Sequence, residues 1–181
     1  MWRNSESSYG LIAVALHWLV AASVIGLFAL GMWMVDLTYY HPWYQRGPAI
    51  HRSVGVLLFA VMLVRLTWRL TNPRPRHAPG VSPLEARLAA GAYVLLYALI
   101  FTVLVSGYLI STADGRPVEI FGLFQVPAAL SGIDNQEDIA GTIHRLLAFV
   151  LVGLAAVHAL AALKHHFIDR DRTLLRMLGR P

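Results

Sequence analysis

A chain of 181 residues could form one soluble domain, but 57% hydrophobic and only 14% charged residues, with a mean hydropathy of +0.57, argue against it, since soluble domains carry about 25% charged residues. The formal net charge of +5 sits beside the apolar runs, where lipid headgroups and topology account for it, so no nucleic-acid partner is expected. With no cysteine, the chain cannot hold iron–sulfur clusters, zinc-thiolate sites, disulfides or covalently attached c-type haem, and any metal must be held by His, Met or oxygen.

Long apolar runs point instead to a bilayer, where each spanning helix needs about 20 predominantly apolar residues. After a polar start, residues 11–35 form the first expected span, read as a retained helix and not a signal peptide. His17 lies about two turns inside it, with Ala13 and Ala21 at i−4 and i+4 on its face; these leave room for something flat or for a close helix. The loop that follows carries Tyr39, Tyr40, Trp43 and Tyr44, the composition of a headgroup-level aromatic belt, and His41 is read as solvated within it.

Pro48 suits the entry to the second span, residues 49–70, which carries His51 near its start and Arg65 fourteen residues on, on the same face. Arg65 reads equally as a snorkelling arginine or as a charge partner. A Pro- and Gly-rich loop with Arg74, Arg76 and an exposed His77 leads to the third span, residues 84–111. That span has no histidine and is expected to be a bundle wall. The acidic connection after it has an apolar middle, FGLFQVP, expected to dip into the interface.

The fourth span, residues 139–167, carries His144 and His158. Fourteen residues at about 100° each come to four turns less about 40°, so both imidazoles leave nearly one face, about 21 Å apart along the axis. Either one alone is better explained as a polar packing residue; together, at opposite depths, they suggest two sites. His165 and His166, at the helix end before a basic tail, are read as interfacial.

Lys and Arg counts set the orientation. Arg65, Arg69, Arg74, Arg76 and Arg87 flank the loop between spans two and three, and Lys164, Arg170, Arg172, Arg176 and Arg180 follow span four; the other loops carry only Arg46 and Arg116. Both termini are therefore expected to be cytoplasmic, in an all-α, four-helix, up-down-up-down membrane bundle forming a single domain over residues 1–181. This order sorts the histidines by depth into two pairs, His17 with His158 and His51 with His144, each drawn from two helices. The charge bias carries no information about histidines, yet it sorts them two and two.

Two facing imidazoles in a dry bundle suit a haem, which takes one axial nitrogen from each side. Zinc or di-iron centres need more ligands, normally with carboxylates, and spans one, two and four supply none. Haem propionates need positive partners; Arg52 and Arg145 directly follow the outer histidines, and Arg65 lies at the depth of the inner pair.

The segments ALHWLVA, IHRSVGVLLFAVMLVRLTWRL, SGYLISTADGRPVEIFGLFQVP and GTIHRLLAFVLVGLAAVHALAALKHHFIDRDRTLLRML together resemble the bacterial cytochrome b561 family, which is similar to the b-type subunits of nickel–iron hydrogenases. The resemblance implies axial ligation by His17, His51, His144 and His158, two non-covalent haem b groups, an inner-membrane location and electron exchange with ubiquinone. For one type of member it also implies oxidation of superoxide coupled to quinone reduction, and Arg52, Arg116 and Arg145 are expected to attract such small anions to the outer rim. Two other readings stand beside this one: an anchor and electron-relay subunit for a soluble dehydrogenase or hydrogenase, and a divalent-metal transporter using the same histidines.

Overall fold

The computed structural model describes residues 1–76 and 80–180; His77 lies outside them. Among the described residues, four helices are long and apolar enough to cross a membrane: α1 (Leu11–Met34), α2 (Arg46–Thr71), α3 (Pro83–Ser111) and α4 (Gln136–Phe167). A two-stranded hairpin, β1 (Val118–Ile120) and β2 (Phe124–Val126), precedes α4, and a short helix, α5 (Thr173–Met177), follows it. The spans agree with the sequence reading at most ends, with α2 and α4 each starting three residues earlier than expected. Both early starts take in polar residues: Arg46 opens α2, and Glu137 and Asp138 fill the first turn of α4, where carboxylates face the positive end of the helix dipole.

The helix starts have identifiable causes. Ser82 and Glu85 form a reciprocal capping box ahead of Pro83: the Glu85 amide donates to Ser82 Oγ at 3.3 Å and the Ser82 amide to Glu85 Oε2 at 3.0 Å. At α1 the chain folds back on itself, so the Leu11 amide donates to the Met1 carbonyl at 3.0 Å and the Ile12 amide to the Trp2 carbonyl at 3.5 Å. Two donors that a helix start leaves open are thereby satisfied. Gly10 permits the fold-back, because a Cβ there would run into the backbone of Trp2 and Arg3.

The contacts divide the chain into two compact units, each assembled from separate stretches. The first comprises residues 1–21, 61–98 and 153–181. Within it the N-terminal segment is strapped to the α2–α3 loop by Glu6 with Arg76 at 2.8 Å and by Asn4 Nδ2 donating to the Pro73 carbonyl at 3.0 Å. Trp18 Nε1 donates to the Met177 carbonyl at 2.7 Å, which ties α5 to α1. Lys164 reaches both Glu85 and Asp169, at 2.7 and 2.8 Å, and His165 Nδ1 lies 2.8 Å from Asp171.

The second unit comprises residues 22–60 and 99–152. Its α3–α4 connection is not the plain interfacial loop expected. Val118 and Ile120 are buried with Glu119 exposed between them, an alternation that suits a strand with one covered face. Phe121 and Gly122 both adopt positive φ, 49° and 72°, and the Leu123 amide donates to the Ile120 carbonyl at 2.9 Å, as in a type I′ turn. A phenylalanine in this region is disfavoured, and Ser53 of α2 holds it. Ser53 Oγ accepts from the Phe121 amide at 3.1 Å and lies 3.4 Å from the Glu119 carbonyl, to which it donates. Ser53 is 2% exposed, so neither bond is readily replaced by water. Ser53→Ala should therefore cost about 1–3 kcal/mol, read as a lower thermal midpoint and faster proteolysis at the hairpin.

Candidate functional site

In the second unit, α2 carries His51 and α4 carries His144, with ring centres 6.1 Å apart and planes at 71°. In the first unit, α1 carries His17 and α4 carries His158, with centres 6.3 Å apart at 61°. Two metal–imidazole bonds of about 2.0 Å, with about 1.1 Å from each nitrogen to its ring centre, bring ring centres to about 6.2 Å. Both pairs have this spacing, and all four rings are half-buried. The four histidines singled out in the sequence thus meet two and two, in the pairs expected.

The His51–His144 pair is the better prepared. His144 Nδ1 lies 2.9 Å from the Val103 carbonyl and 3.3 Å from Ser106 Oγ. A carbonyl can only accept, so Nδ1 carries the hydrogen and Nε2 is left with its lone pair for a metal. Ser106, 4% exposed, donates to the same carbonyl at 2.8 Å. Glycine makes room for both rings: an added Cβ at Gly107 would lie 3.0 Å from His144 Cε1, and one at Gly31 would lie 3.3 Å from His51 Cε1. His51 Nδ1 is buried without a hydrogen-bond partner, so no protein group fixes its tautomer. Beside the pair lies a largely apolar cavity of about 960 Å³ with Arg52, Arg145, Asp114 and Glu137 as its charged lining. Its size is at the upper end for cofactor pockets, and the free Nε2 of His144 and the ring spacing fit a bis-imidazole haem.

Arg52 and Arg145, expected as partners for haem carboxylates, both line this cavity. Arg116, expected to add positive charge at the rim, pairs through its Nε with Asp114 at 3.0 Å across the turn at Gly115, with both side chains exposed.

The His17–His158 pair has the same spacing, but His17 also contacts Arg65. Arg65 Nη2 lies 3.1 Å from His17 Nδ1, while its Nε donates to the Tyr97 hydroxyl at 3.1 Å and its Nη1 to the Leu16 carbonyl at 3.4 Å. A guanidinium only donates, so Nδ1 accepts and the neutral ring carries its hydrogen on Nε2. For Nε2 to hold a metal the hydrogen must be on Nδ1, so a haem at this pair would need Arg65 turned away from the ring. Arg65, expected as a propionate partner at this depth, has its guanidinium against the His17 ring. The Tyr93 ring packs against His158 with centres 6.3 Å apart, and Arg69 stacks over Tyr93 at 4.4 Å. Tyr9, just before α1, hydrogen-bonds Tyr93; burial and that bond push its phenol far above the ordinary range, so it remains protonated.

Several functional neighbours were not evident from the sequence. Gly107, Ser106 and the Val103 carbonyl all come from α3, the helix without a histidine, and Gly31 comes from α1. A polar Ser-Gly step inside the apolar run of α3 was the available signal. His41 belongs to the loop as expected, its Nδ1 accepting from the Trp43 amide at 3.2 Å. His165 is tied to Asp169 and Asp171, and Lys164 supplies the cation between Glu85 and Asp169.

The family model for prokaryotic cytochrome b561 matches residues 8–180. The chain therefore belongs to the prokaryotic cytochrome b561 family, and four helices among its described residues are long enough to cross a membrane. It is 48% identical to cytochrome b561 homolog 2 of Escherichia coli K12 over 98% of this chain and 94% of that one. It is 31% identical to a probable superoxide oxidase, CybB, of Yersinia pestis over 96% and 97%, and 30% identical to cytochrome b562 of Cereibacter sphaeroides over 97% and 98%. Membership makes the chain a multi-pass membrane protein of electron transport and implies a b-type haem as its cofactor.

Proposed function

We propose that the chain binds two haem b groups, one between His51 and His144 and one between His17 and His158, and passes electrons between a donor outside the membrane and the ubiquinone pool. The observation that carries this reading is the shared ring spacing of 6.1 and 6.3 Å in two pairs drawn from different helices. When bound, a bis-imidazole haem supplies one-electron exchange at an iron with no open position, which suits electron transfer over oxygen binding.

The chain's residues do the rest. Val103 and Ser106 fix the tautomer of His144, Gly107 and Gly31 give the rings their clearance, and Arg52 and Arg145 offer positive charge at the outer cavity for haem carboxylates. α4 contributes one ligand to each pair, fourteen residues apart or about 21 Å of helix rise. The Lys and Arg bias supports placing both termini, and the His17 pair, toward the cytoplasm of the bacterial inner membrane.

The test is a reduced-minus-oxidised spectrum with a haem count on the purified protein. Sharp reduced bands and two haems per chain are expected; absence of haem would favour a metal transporter. The likeness to a probable superoxide oxidase supports superoxide as the electron donor, two superoxide anions giving two dioxygen molecules while one quinone takes two electrons and two protons. Rapid haem reduction by superoxide, slowed in Arg52→Gln with Arg145→Gln, is the expected result. Reduction by quinol alone would overturn it. Copurification with a soluble metalloenzyme would favour the anchor-subunit reading instead.

Arg65 provides a separate handle. Replacing it with Met removes a cation next to the inner ligand, and a cation disfavours the oxidised, more positive state. The inner haem midpoint should fall by about 60 mV, a tenfold change for one electron, in a potentiometric titration that leaves the outer haem where it was.

A further inference from the structure

The cavity beside His17, about 200 Å³ in volume, has Arg65, Arg69 and Arg74 in its lining and no Asp or Glu. Arg65 is committed to His17, Tyr97 and the Leu16 carbonyl. Arg69 lies over the Tyr93 ring at 4.4 Å to its centroid and 5.7 Å from that of Tyr97, contacts with ring faces that use its charge and none of its N–H donors. Among the described residues, neither Arg69 nor Arg74 has a hydrogen-bond acceptor for its guanidinium or an ion-pair partner. Trp68, on the same lining, keeps its indole N–H buried and without an acceptor.

Of the residues on this lining, the half-buried Arg69 guanidinium and the buried Trp68 N–H lack an acceptor, and the exposed Arg74 adds positive charge. We infer that this cavity is an oxyanion site, in which a phosphate or carboxylate group is received by Arg69, Arg74 and the Trp68 Nε1–H. The N-terminal strap forms one wall through Asn4 and Tyr9. With Glu6 drawn away to Arg76 at 2.8 Å, that wall brings in no carboxylate. The volume suits a headgroup phosphate or a carboxylate arm.

Two sources share this chemistry. One is the phosphate of an anionic lipid, since basic pockets at the ends of membrane helices take such headgroups. The other is a propionate of the haem proposed between His17 and His158, and only this source rests on that reading.

The experiment uses full-length holo-protein in mild detergent, as wild type, Arg69→Gln and Trp68→Phe. Each is stripped of lipid, then titrated with phosphatidylglycerol or phosphatidylcholine while thermal stability and haem content are read. For a lipid phosphate, wild type gains stability with phosphatidylglycerol over phosphatidylcholine, and both variants need about tenfold more lipid while keeping their haem. For a propionate, both variants lose one haem of two, and the lipid response is unchanged. If both variants keep the wild-type haem content and lipid response, there is no oxyanion site. If Arg69→Gln does not fold, Trp68→Phe, which deletes the N–H and keeps the ring shape, decides on the same criteria. A wild-type protein without haem would overturn the proposed function and still leave the lipid titration readable.

Discussion

Replacing His144 with Ala should reduce the haem content from two per chain to one, and His51→Ala should do the same. The two residues face each other at 6.1 Å between ring centres, so each loss leaves the same half-site. The double variant His51→Ala with His144→Ala should then retain as much haem as either single one, because residues acting as one unit do not add. His17→Ala and His158→Ala should remove the other haem, and a variant lacking one from each pair should retain none. The pairing and the stoichiometry are tested together by a haemochromogen assay with circular dichroism for folding. Loss of both haems from a well-folded His144→Ala protein would show that the pairs are not separate sites.

Gly107→Ala should weaken the outer haem site without touching a ligand. The added Cβ would stand 3.0 Å from His144 Cε1 and 3.2 Å from Nδ1, too close for the ring to stay where it is. The ring cannot yield freely, because Nδ1 is held at 2.9 Å by the Val103 carbonyl. Overpacking of this kind costs about 1–3 kcal/mol, or about five- to 150-fold in haem affinity if the cost falls on the ligated state. Gly31→Ala, with contacts of 3.3 and 3.8 Å to His51, should be milder. Gly26→Ala and Gly153→Ala meet nothing within 4 Å and serve as controls. The order of haem retention in competition with apomyoglobin checks this, and equal retention by Gly107→Ala and Gly153→Ala would refute the clearance argument.

The features legible in the sequence were those governed by period and charge. Apolar run length gave the spans, the fourteen-residue spacing gave the common face of His144 and His158, and the Lys and Arg bias gave the depth order that paired each with a partner. None of these depends on a side-chain rotamer. What was not legible depends on geometry between helices. That α3 supplies a carbonyl to His144 leaves no mark on residue identity, because every residue has a carbonyl. The depth of Arg65 was readable, but its reach to His17 Nδ1 was not, since a long side chain at a given depth has several partners within range. The pairing of Arg116 with Asp114 follows from the turn at Gly115, whose φ is 80°. The hairpin was missed because its turn puts Phe121, a residue disfavoured there, at positive φ and depends on Ser53 from another element.

That tie between Ser53 and the hairpin makes the outer pair accessible to spectroscopy. Ser53 follows His51 by two residues on α2, about 200° around the helix, so one face of a single turn looks toward the imidazole pair and the other braces the hairpin. Leu123, next to that turn, is 81% exposed, and the chain has no cysteine. A Leu123→Cys protein would therefore carry one thiol, and a spin label or fluorophore attached there would be a reporter placed one hydrogen-bonded step from the helix that bears His51, with no background from a second labelled position.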